Sequence, residues 1–416
     1  MLNIAIIGGG AAGFFAAISA KTKMPNSNVI VFEKTNRILA KVGISGGGRC
    51  NLTNSFADIS DLKQAYPRGN KLIKRLFKRF DYNDTFQWFE AHGVQLVTQP
   101  DNCVFPFSQN SQTIIDCLTH TAQQLGVDVC LQHTLTNITK QTEGKIEVHF
   151  KDKPYRTFDR VIITTGGSLR TTNLQYLENL GHKIEATIPA LFTFNIAEKA
   201  FKNLMGTVIE HVLLSIPATK FHSNGALLIT HWGMSGPATL KLSSYAARYL
   251  AENNNKTPVS VNWVNETNAQ SVAQNITAIA TENAKKQIVN TRPYNLPTRL
   301  WEYLLQRANI EKEKRWIDIG KKAMHKLIET LTNDVHQIEG KGSFRDEFVT
   351  CGGISLKSIN PNTLESKVCK GVFFAGEVLD IDGITGGFNL QAAWTTGYVA
   401  GQEACVKRFQ RNVNKT

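Results

Sequence analysis

The chain has 416 residues, 42% of them hydrophobic, with 31 glycines, values that exclude a disordered or low-complexity protein and leave room for two or three domains. Its formal charge of +13 is strongly basic, yet no apolar run is long enough to cross a bilayer and no zinc-finger or RNP signature is present. Seven cysteines, an odd number without a CxxC pair, argue against a disulfide framework or a metal site and for a reducing, cytoplasmic setting, and no secretory leader is read at the N-terminus.

Residues 4–7 form a short apolar run that reads as a buried parallel strand. It feeds into Gly8-Gly9-Gly10-Ala11-Ala12-Gly13 and an alanine-rich helix over about 14–21. Gly8 allows the sharp strand-to-helix turn, Gly10 lets the backbone approach a pyrophosphate, and Gly13 brings the helix onto the strand. The N–H groups around Ala11 and Ala12 face the anion. A second β-branched run, 29–32, ends at Glu33-Lys34, with the acid twenty positions beyond Gly13, where a ribose-binding carboxylate belongs. An ordinary tight βα turn with a coincidental glutamate would explain the glycines alone, but strand, helix and acid together spell a dinucleotide-binding βαβ unit.

A second glycine-rich block follows: Lys41-Val42-Gly43-Ile44-Ser45-Gly46-Gly47-Gly48-Arg49-Cys50-Asn51-Leu52-Thr53-Asn54. Bare amides with the cations Lys41 and Arg49 and the polar groups of Ser45 and Asn51 suit an extended anionic ligand lying along Gly46, Gly47 and Cys50. FAD, long enough to cross the domain, needs such a second cradle; NAD does not. A plain mobile loop is the competing reading.

Further along, the apolar residues in 71–80 recur at helical spacing, so Lys71, Lys74, Arg75, Lys78 and Arg79 are expected on the wet face of an amphipathic helix. A helix at 84–92, strands at 94–98 and 103–106, a helix at 112–125 and strands at 128–131 and 146–150 come next. Residues 161–165 form a buried strand running into Thr165-Gly166-Gly167, where the chain passes a ligand at the strand's carboxyl end. Strands are expected at 192–195, 208–217 and 226–230, then helices at 267–286, 297–308 and 313–331. The βα chemistry then returns: a strand ends at Gly376-Glu377, and Gly383 to Asn389 lead into a helix over 390–405.

These elements predict an α/β fold: a Rossmann-like FAD-binding domain at 1–189 and 344–416, a β-barrel-like inserted domain at 190–250 and 332–343, and a helical domain at 251–331. Glu377 is a candidate for the ribityl hydroxyls. Gly386 and the amides of Gly387, Phe388, Asn389 and Leu390 open a helix whose positive end suits a flavin's pyrimidine edge. On their own, Glu377, Asp380 and Asp382 would read as an acidic surface turn; beside the N-terminal signatures they read as part of the cofactor site.

The chain resembles the bacterial NAD(P)/FAD-dependent oxidoreductases that include BaiN-type bile-acid reductases and aminoacetone oxidase-like flavoproteins. The resemblance rests on the two N-terminal blocks, on Thr230-His231-Trp232-Gly233-Met234-Ser235-Gly236-Pro237-Ala238, on Thr350-Cys351-Gly352-Gly353-Ile354 with Ser366-Lys367, and on the segments 374–380 and 386–393. It implies a Rossmann-like FAD domain carrying a barrel-like and a helical insertion. Residues 168–173 depart from the family, lacking its aromatic-proline and Gly-Ser-rich stretch.

The leading functional reading is an FAD-dependent oxidoreductase passing a hydride between a small organic substrate and flavin N5, with NADH or NADPH as a transient donor or oxygen as acceptor. His231 is the candidate acid or base, with a turn-fixing histidine as the alternative. Cys50 lacks the partner of a disulfide reductase, so it reads as packing. Nucleic acid is not the expected partner, yet the charge sustains a second class, a basic flavoprotein acting on RNA or an anionic membrane. A third is a non-redox flavin-bound interaction protein.

Overall fold

Strands that are apolar on both faces must be covered on both sides, and the runs at 4–7, 29–32 and 161–163 are buried throughout. In a computed structural model describing residues 1–141, 144–342 and 349–406, they form the middle of a five-stranded sheet. Its order is Val372–Phe374, Arg160–Ile163, Asn3–Ile7, Asn28–Phe32, Asp128–Cys130, and all neighbours are parallel. Ile7 lies opposite both Phe32 and Ile163, so Gly8, Glu33 and Thr164 emerge side by side at the carboxyl edge. One edge strand is supplied by the chain's last hundred residues. The described chain divides into two compact units, Met1–Ile188 with Val349–Thr416, and Pro189–Phe348.

In the first unit, helix Ala11–Lys23 packs on helix Phe388–Ala404 at backbone contact. A Cβ on Gly397 would meet the Ala12 carbonyl at 2.7 Å, and one on Gly401 the Ala16 carbonyl at 2.4 Å, so only glycine permits this separation. Phe15, Phe80, Trp88 and Trp394 fill the side of the seam. The expected basic helix is shorter, Asn70–Leu76, and buries Leu72, Ile73 and Leu76 while its Lys and Arg are exposed. An antiparallel meander of Leu135–Lys140, Ile146–Phe150 and Lys153–Phe158 adds two strands the pattern did not reveal, because their outward faces carry Thr, Asn, Lys and Arg.

The second unit is a closed six-stranded barrel in the order Phe194–Ile196, Gly233–Ser235, His222–Ile229, Val208–Ser215, Thr257–Asn262, Asp334–Lys341. Strand Thr257–Asn262 is absent from the sequence reading, which assigns 251–331 to a helical domain with its first helix at 267; Pro258, Ser260 and Asn262 mask its β pattern. The helix expected over 313–331 is also broken. A 3-10 turn, Trp316–Asp318, precedes a helix Lys321–Thr332 that starts only after Gly320. Helices Ala269–Glu282, Thr298–Arg307 and Lys321–Thr332 share one apolar core with the barrel through Val272, Ile276, Leu300, Trp301, Leu327 and Leu331.

Beside that core lies a buried polar cluster. The wholly buried His336 ring places Nε2 2.9 Å from Asp334 Oδ2 and Nδ1 3.1 Å from Glu198 Oε2, so both nitrogens donate and the ring is an imidazolium. Tyr303 and Arg307 also donate to Glu198, and Trp263 Nε1 donates to Asp334. Burial opposes the charged ring, but the bonds to Asp334 and Glu198 outweigh it and raise its pKa. The His336 bond is also the main reason the Glu198 carboxyl falls to about 2.

The linkage therefore has two limits. The His336 contribution is complete below its ordinary pKa of about 6.5 and is lost as pH rises through the raised value. The Glu198 contribution is complete above about 4.5 and is lost as pH falls toward 2. Replacing His336 by Leu should destabilise the full chain by about 1.5–3 kcal/mol, because Asp334 and the half-buried Glu198 lose a charge-assisted partner but keep Arg307. Melting temperatures of both proteins across pH should differ most between about pH 5 and 6.5 and converge on either side.

Candidate cofactor site

The site is assembled from glycines whose absent side chains admit backbone, and it lies within the first unit. A Cβ on Gly13 would sit 1.9 Å from the Gly8 carbonyl, and one on Gly8 2.4 Å from the Thr164 carbonyl, so these two serve packing. Gly10 is different, because a Cβ there would meet nothing within 4 Å. It is the N-cap of Ala11–Lys23, a helix without a side-chain cap and without an acidic residue in its first turn. The amides at Ala11 and Ala12 thus offer an open, partly positive end to an anion.

Glu33 closes one side. Its Oε2 accepts the Gly9 N–H at 2.9 Å, and its Oε1 accepts the Thr35 N–H and hydroxyl, each at 2.9 Å. The carboxylate is held beside the fingerprint, while Lys34 is exposed.

The second glycine block is not the simple loop expected from the sequence. Ala40–Gly48 begins as a helical turn, and Lys41 to Ile44 belong to it; the cradle opens only at Ser45, with Gly46 and Gly47 in the left-handed region. Ala40 and Lys41 favour the turn and buried Val42 anchors it, whereas Gly46 and Gly47 end it in the left-handed region. Gly47 and Gly48 face open space. Arg49 braces this loop: Nε donates to the Gly46 carbonyl at 3.1 Å, Nη1 to Gln109 Oε1 at 3.3 Å, and the guanidinium lies 4.3 Å from the Phe105 ring centroid. Cys50 is fully buried, and burial pushes its thiol up to about 12 against the opposing Ser45 bond, so it is an unreactive packing group.

Asn51 to Asn54 then meet the C-terminal helix. A Cβ on Gly387 would lie 2.2 Å from the Thr53 carbonyl, and this residue has φ +89°. Trp394 Nε1 donates to the Leu52 carbonyl (2.9 Å), Asn54 Nδ2 to the Gly386 carbonyl (3.1 Å) and Tyr66 Oη to the Phe388 carbonyl (2.9 Å). With its nitrogen toward the Thr53 carbonyl, the Asn51 side chain accepts the Gly387 N–H at 3.2 Å. The Gly387 amide is therefore taken, which shifts the expected open end to the amides of Phe388, Asn389 and Leu390. The helix has no side-chain cap and no acid in its first turn. The Asn389 side chain, by contrast, is tied to the backbone of Gly383 at 2.8 and 2.9 Å.

Glu377 completes the ring. Its Oε2 is 2.6 Å from Lys41 Nζ and its Oε1 accepts the Thr350 N–H at 2.7 Å. Gly167 abuts it, since a Cβ there would meet Glu377 Oε1 at 2.7 Å, with Gly166 and exposed Thr165 alongside. Gly376 abuts Ala12, at 2.8 Å for a Cβ. Two residues that the sequence reading passed over matter here. Thr350 orients Glu377, and Arg68 forms a bidentate pair with Asp382, Nε to Oδ1 at 2.6 Å. Asp382 is completely buried, which corrects the surface-turn alternative for this acid; burial raises its pKa against the pull of Arg68. The basic-plus-acidic spacing could have flagged the pair, but the partners are over three hundred positions apart.

His231 lies in the second unit, on the exposed bend between strands His222–Ile229 and Gly233–Ser235. Its ring meets Trp232 edge-on at 4.2 Å and makes no hydrogen bond to another described residue, so it does not brace the turn.

The HI0933-like protein Rossmann domain matches residues 2–403. The chain belongs to this HI0933-like family. It is 27% identical over 97% of its length to a 3-dehydro-bile acid delta(4,6)-reductase of Clostridium scindens, of which 99% is covered. It is also 27% identical, with 96% of each chain covered, to a ribosomal RNA dihydrouridine synthase of Escherichia coli. Among solved structures, a 3-ketosteroid-delta4-(5alpha)-dehydrogenase from Rhodococcus jostii RHA1 shares the fold, with a TM-score of 0.51 at 13% identity, covering 98% of this chain and 97% of that one. The fold is a Rossmann-like FAD-binding α/β fold, and the HI0933-like protein is an FAD-dependent oxidoreductase. No helix among the described residues is long and apolar enough to cross a membrane.

The glycine geometry separates a ligand role from a folding role. Gly10→Val should leave the melting temperature of flavin-stripped protein within about 1 °C of wild type and abolish flavin retention, because its side chain occupies ligand space. Gly13→Val should lose soluble folded protein, because its side chain collides with backbone. Absorbance spectra and thermal melts of the two variants check both outcomes.

Proposed function

We propose that the protein reduces a carbon–carbon double bond conjugated to a carbonyl, using FAD held along the cradle described above. The observation that carries this is the set of backbone groups left open within one unit, at Gly10, at Gly47 and at the amides of Phe388 to Leu390, with acids at Glu33 and Glu377 beside the glycines. In this reading Gly8, Gly10, Ala11, Ala12 and Gly13 shape the pyrophosphate site, and Glu33 accepts the adenosine ribose hydroxyls, with Lys34 at the rim. Glu377, steadied by Lys41 and Thr350, accepts the ribityl hydroxyls between Gly166, Gly167 and Gly376. The positive end of Phe388–Ala404 holds negative charge at the pyrimidine edge of the ring. When bound, FAD supplies the two-electron chemistry: a hydride from reduced N5 to the β-carbon, balanced by a proton to the α-carbon, with NADH or NADPH restoring the reduced ring.

The substrate class follows from the relatives' names. A delta(4,6) double bond in a 3-dehydro bile acid and the C5–C6 bond of uracil are both conjugated to a carbonyl. A second reading, that the reduced base is carried in RNA, is favoured by residues 63–80, which hold seven Lys or Arg and no Asp or Glu.

The purified protein should be yellow, and heat-denatured protein should release FAD rather than FMN. Glu33→Gln should weaken FAD binding by about 1–3 kcal/mol through loss of charge-assisted hydrogen bonds. Anaerobic mixing with NADH or NADPH should bleach the flavin, and a uracil-containing RNA or a 3-oxo-4-ene steroid should restore its colour while gaining two hydrogens by mass spectrometry. A flavin that no donor bleaches would leave the non-redox reading in its place.

A further inference from the structure

The first unit carries a second charged feature that the cofactor does not use. Lys71, Lys74, Arg75, Lys78 and Arg79 are exposed at a spacing of three and four residues, over buried Leu72, Ile73, Leu76 and Phe80. An amphipathic helix accounts for the burial, but not for what the polar side faces. These five cations line one cleft of about 560 Å³, whose opposite wall is Asn362, Thr363 and Glu403. Glu403 is the single acid there, and it is paired with Arg79 at 2.7 Å. Arg75 Nη1 donates to Asn362 Oδ1 at 2.9 Å, and Arg79 Nη1 to the Asn362 carbonyl at 3.1 Å. Both guanidiniums are thus held through Nη1 at the cleft, while Lys71, Lys74 and Lys78 form no ion pair with a described residue.

We infer that this cleft binds the sugar–phosphate backbone of RNA. Oriented guanidinium forks match phosphate oxygens, three lysines add point charges, and Asn362 and Thr363 supply the neutral hydrogen-bonding groups typical of backbone contacts. A protein partner would meet a lysine-rich patch of the kind that interfaces avoid. A membrane surface would need a group of apolar side chains beside the cations; none of the exposed large hydrophobic residues falls between 62 and 80 or 360 and 363, and Val406 alone lies near Glu403 in sequence. Glu403 lies fifteen residues along the C-terminal helix from Phe388, about 22 Å at 1.5 Å per residue. The cleft is therefore too far from the open amides to grip a small substrate that reacts there, and suits a long polyanion anchored away from the base that is reduced. The choice of RNA rests on the second reading above.

The test uses flavin-loaded full-length protein and a fluorescent RNA hairpin with uracils in its loop, followed by anisotropy over a salt series. The triple variant K71E/K74E/K78E should lose affinity by about tenfold or more and show a salt dependence shallower by about two to three phosphate contacts. K285E/K321E/K322E makes the same charge change on exposed lysines of the second unit and should stay within about threefold. Flavin absorbance should be equal in all three proteins. Equal losses in both variants would assign binding to net charge and overturn the cleft, as would a wild-type protein that does not bind the hairpin. Anionic vesicles of phosphatidylglycerol and phosphatidylcholine that bind with the same dependence on these lysines would make the surface a membrane contact instead. Cleft-dependent binding without reduction of the loop uracils would leave the cleft intact and refute the RNA-base reading alone.

Discussion

The first unit depends on one close contact, the Thr53 carbonyl against the α-carbon of Gly387. Any side chain at 387 would occupy the carbonyl's position, and the bonds around it, from Trp394 to Leu52 and from Asn54 to Gly386, lock the approach at two further points. The contact joins residues 334 positions apart, and it brings the open end of the C-terminal helix to the second glycine block. Lys41 of that block reaches Glu377, which abuts Gly167, and Gly376 beside it abuts Ala12. Backbone contact on this scale suits preorganised electrostatics better than adaptable binding.

Charge is distributed around these contacts in an orderly way. Two helix N-termini without side-chain caps supply partial positive charge, and two carboxylates, Glu33 and Glu377, are held in place by backbone N–H groups. The buried Arg68–Asp382 pair plays a different part. Ion pairs so deeply desolvated contribute little net stability, and its geometric effect is plain: it clamps the segment around Gly69 to the loop before the C-terminal helix, where the Ile384 N–H also reaches the Ala65 carbonyl. The second unit follows the same logic with different parts, since His336 and Arg307 both bridge Asp334 and Glu198, and Arg307 thereby ties the barrel strand to its own helix.

Much of the candidate cofactor site was legible in the chain. The fingerprint 8–13, Glu33, the glycines at 46–48 and the Gly-Glu of 376–377 could be recognised because each does its work through local backbone geometry, and local geometry leaves a local signature. The boundaries that failed did so where burial outweighs the local pattern. Lys41 to Ile44 form a helical turn despite β-branched residues and a glycine, because burial of Val42 outweighs local propensity, and Thr257–Asn262 carries polar residues in a barrel strand whose burial is supplied from elsewhere. Thr350, Arg68 and the close-packing roles of Gly397 and Gly401 left no such signature, because their meaning lies in partners hundreds of residues away.

By itself the sequence determined the parallel βα framework, the ligand class suited to it and the excess of positive charge, since hydrophobic period, glycine spacing and composition act over a few residues or over the whole chain. Only the tertiary structure decided which groups face a ligand. It spent the Gly387 amide on Asn51, the Asn389 side chain on Gly383 and the Arg49 guanidinium on its own loop, and it left Gly10 and the amides of Phe388 to Leu390 open. The same holds for the basic segment, whose period fixed a buried face but not the cleft opposite it. A hydrogen-bond donor can serve one partner well, and whether that partner is protein or ligand depends on what the fold brings within 3 Å.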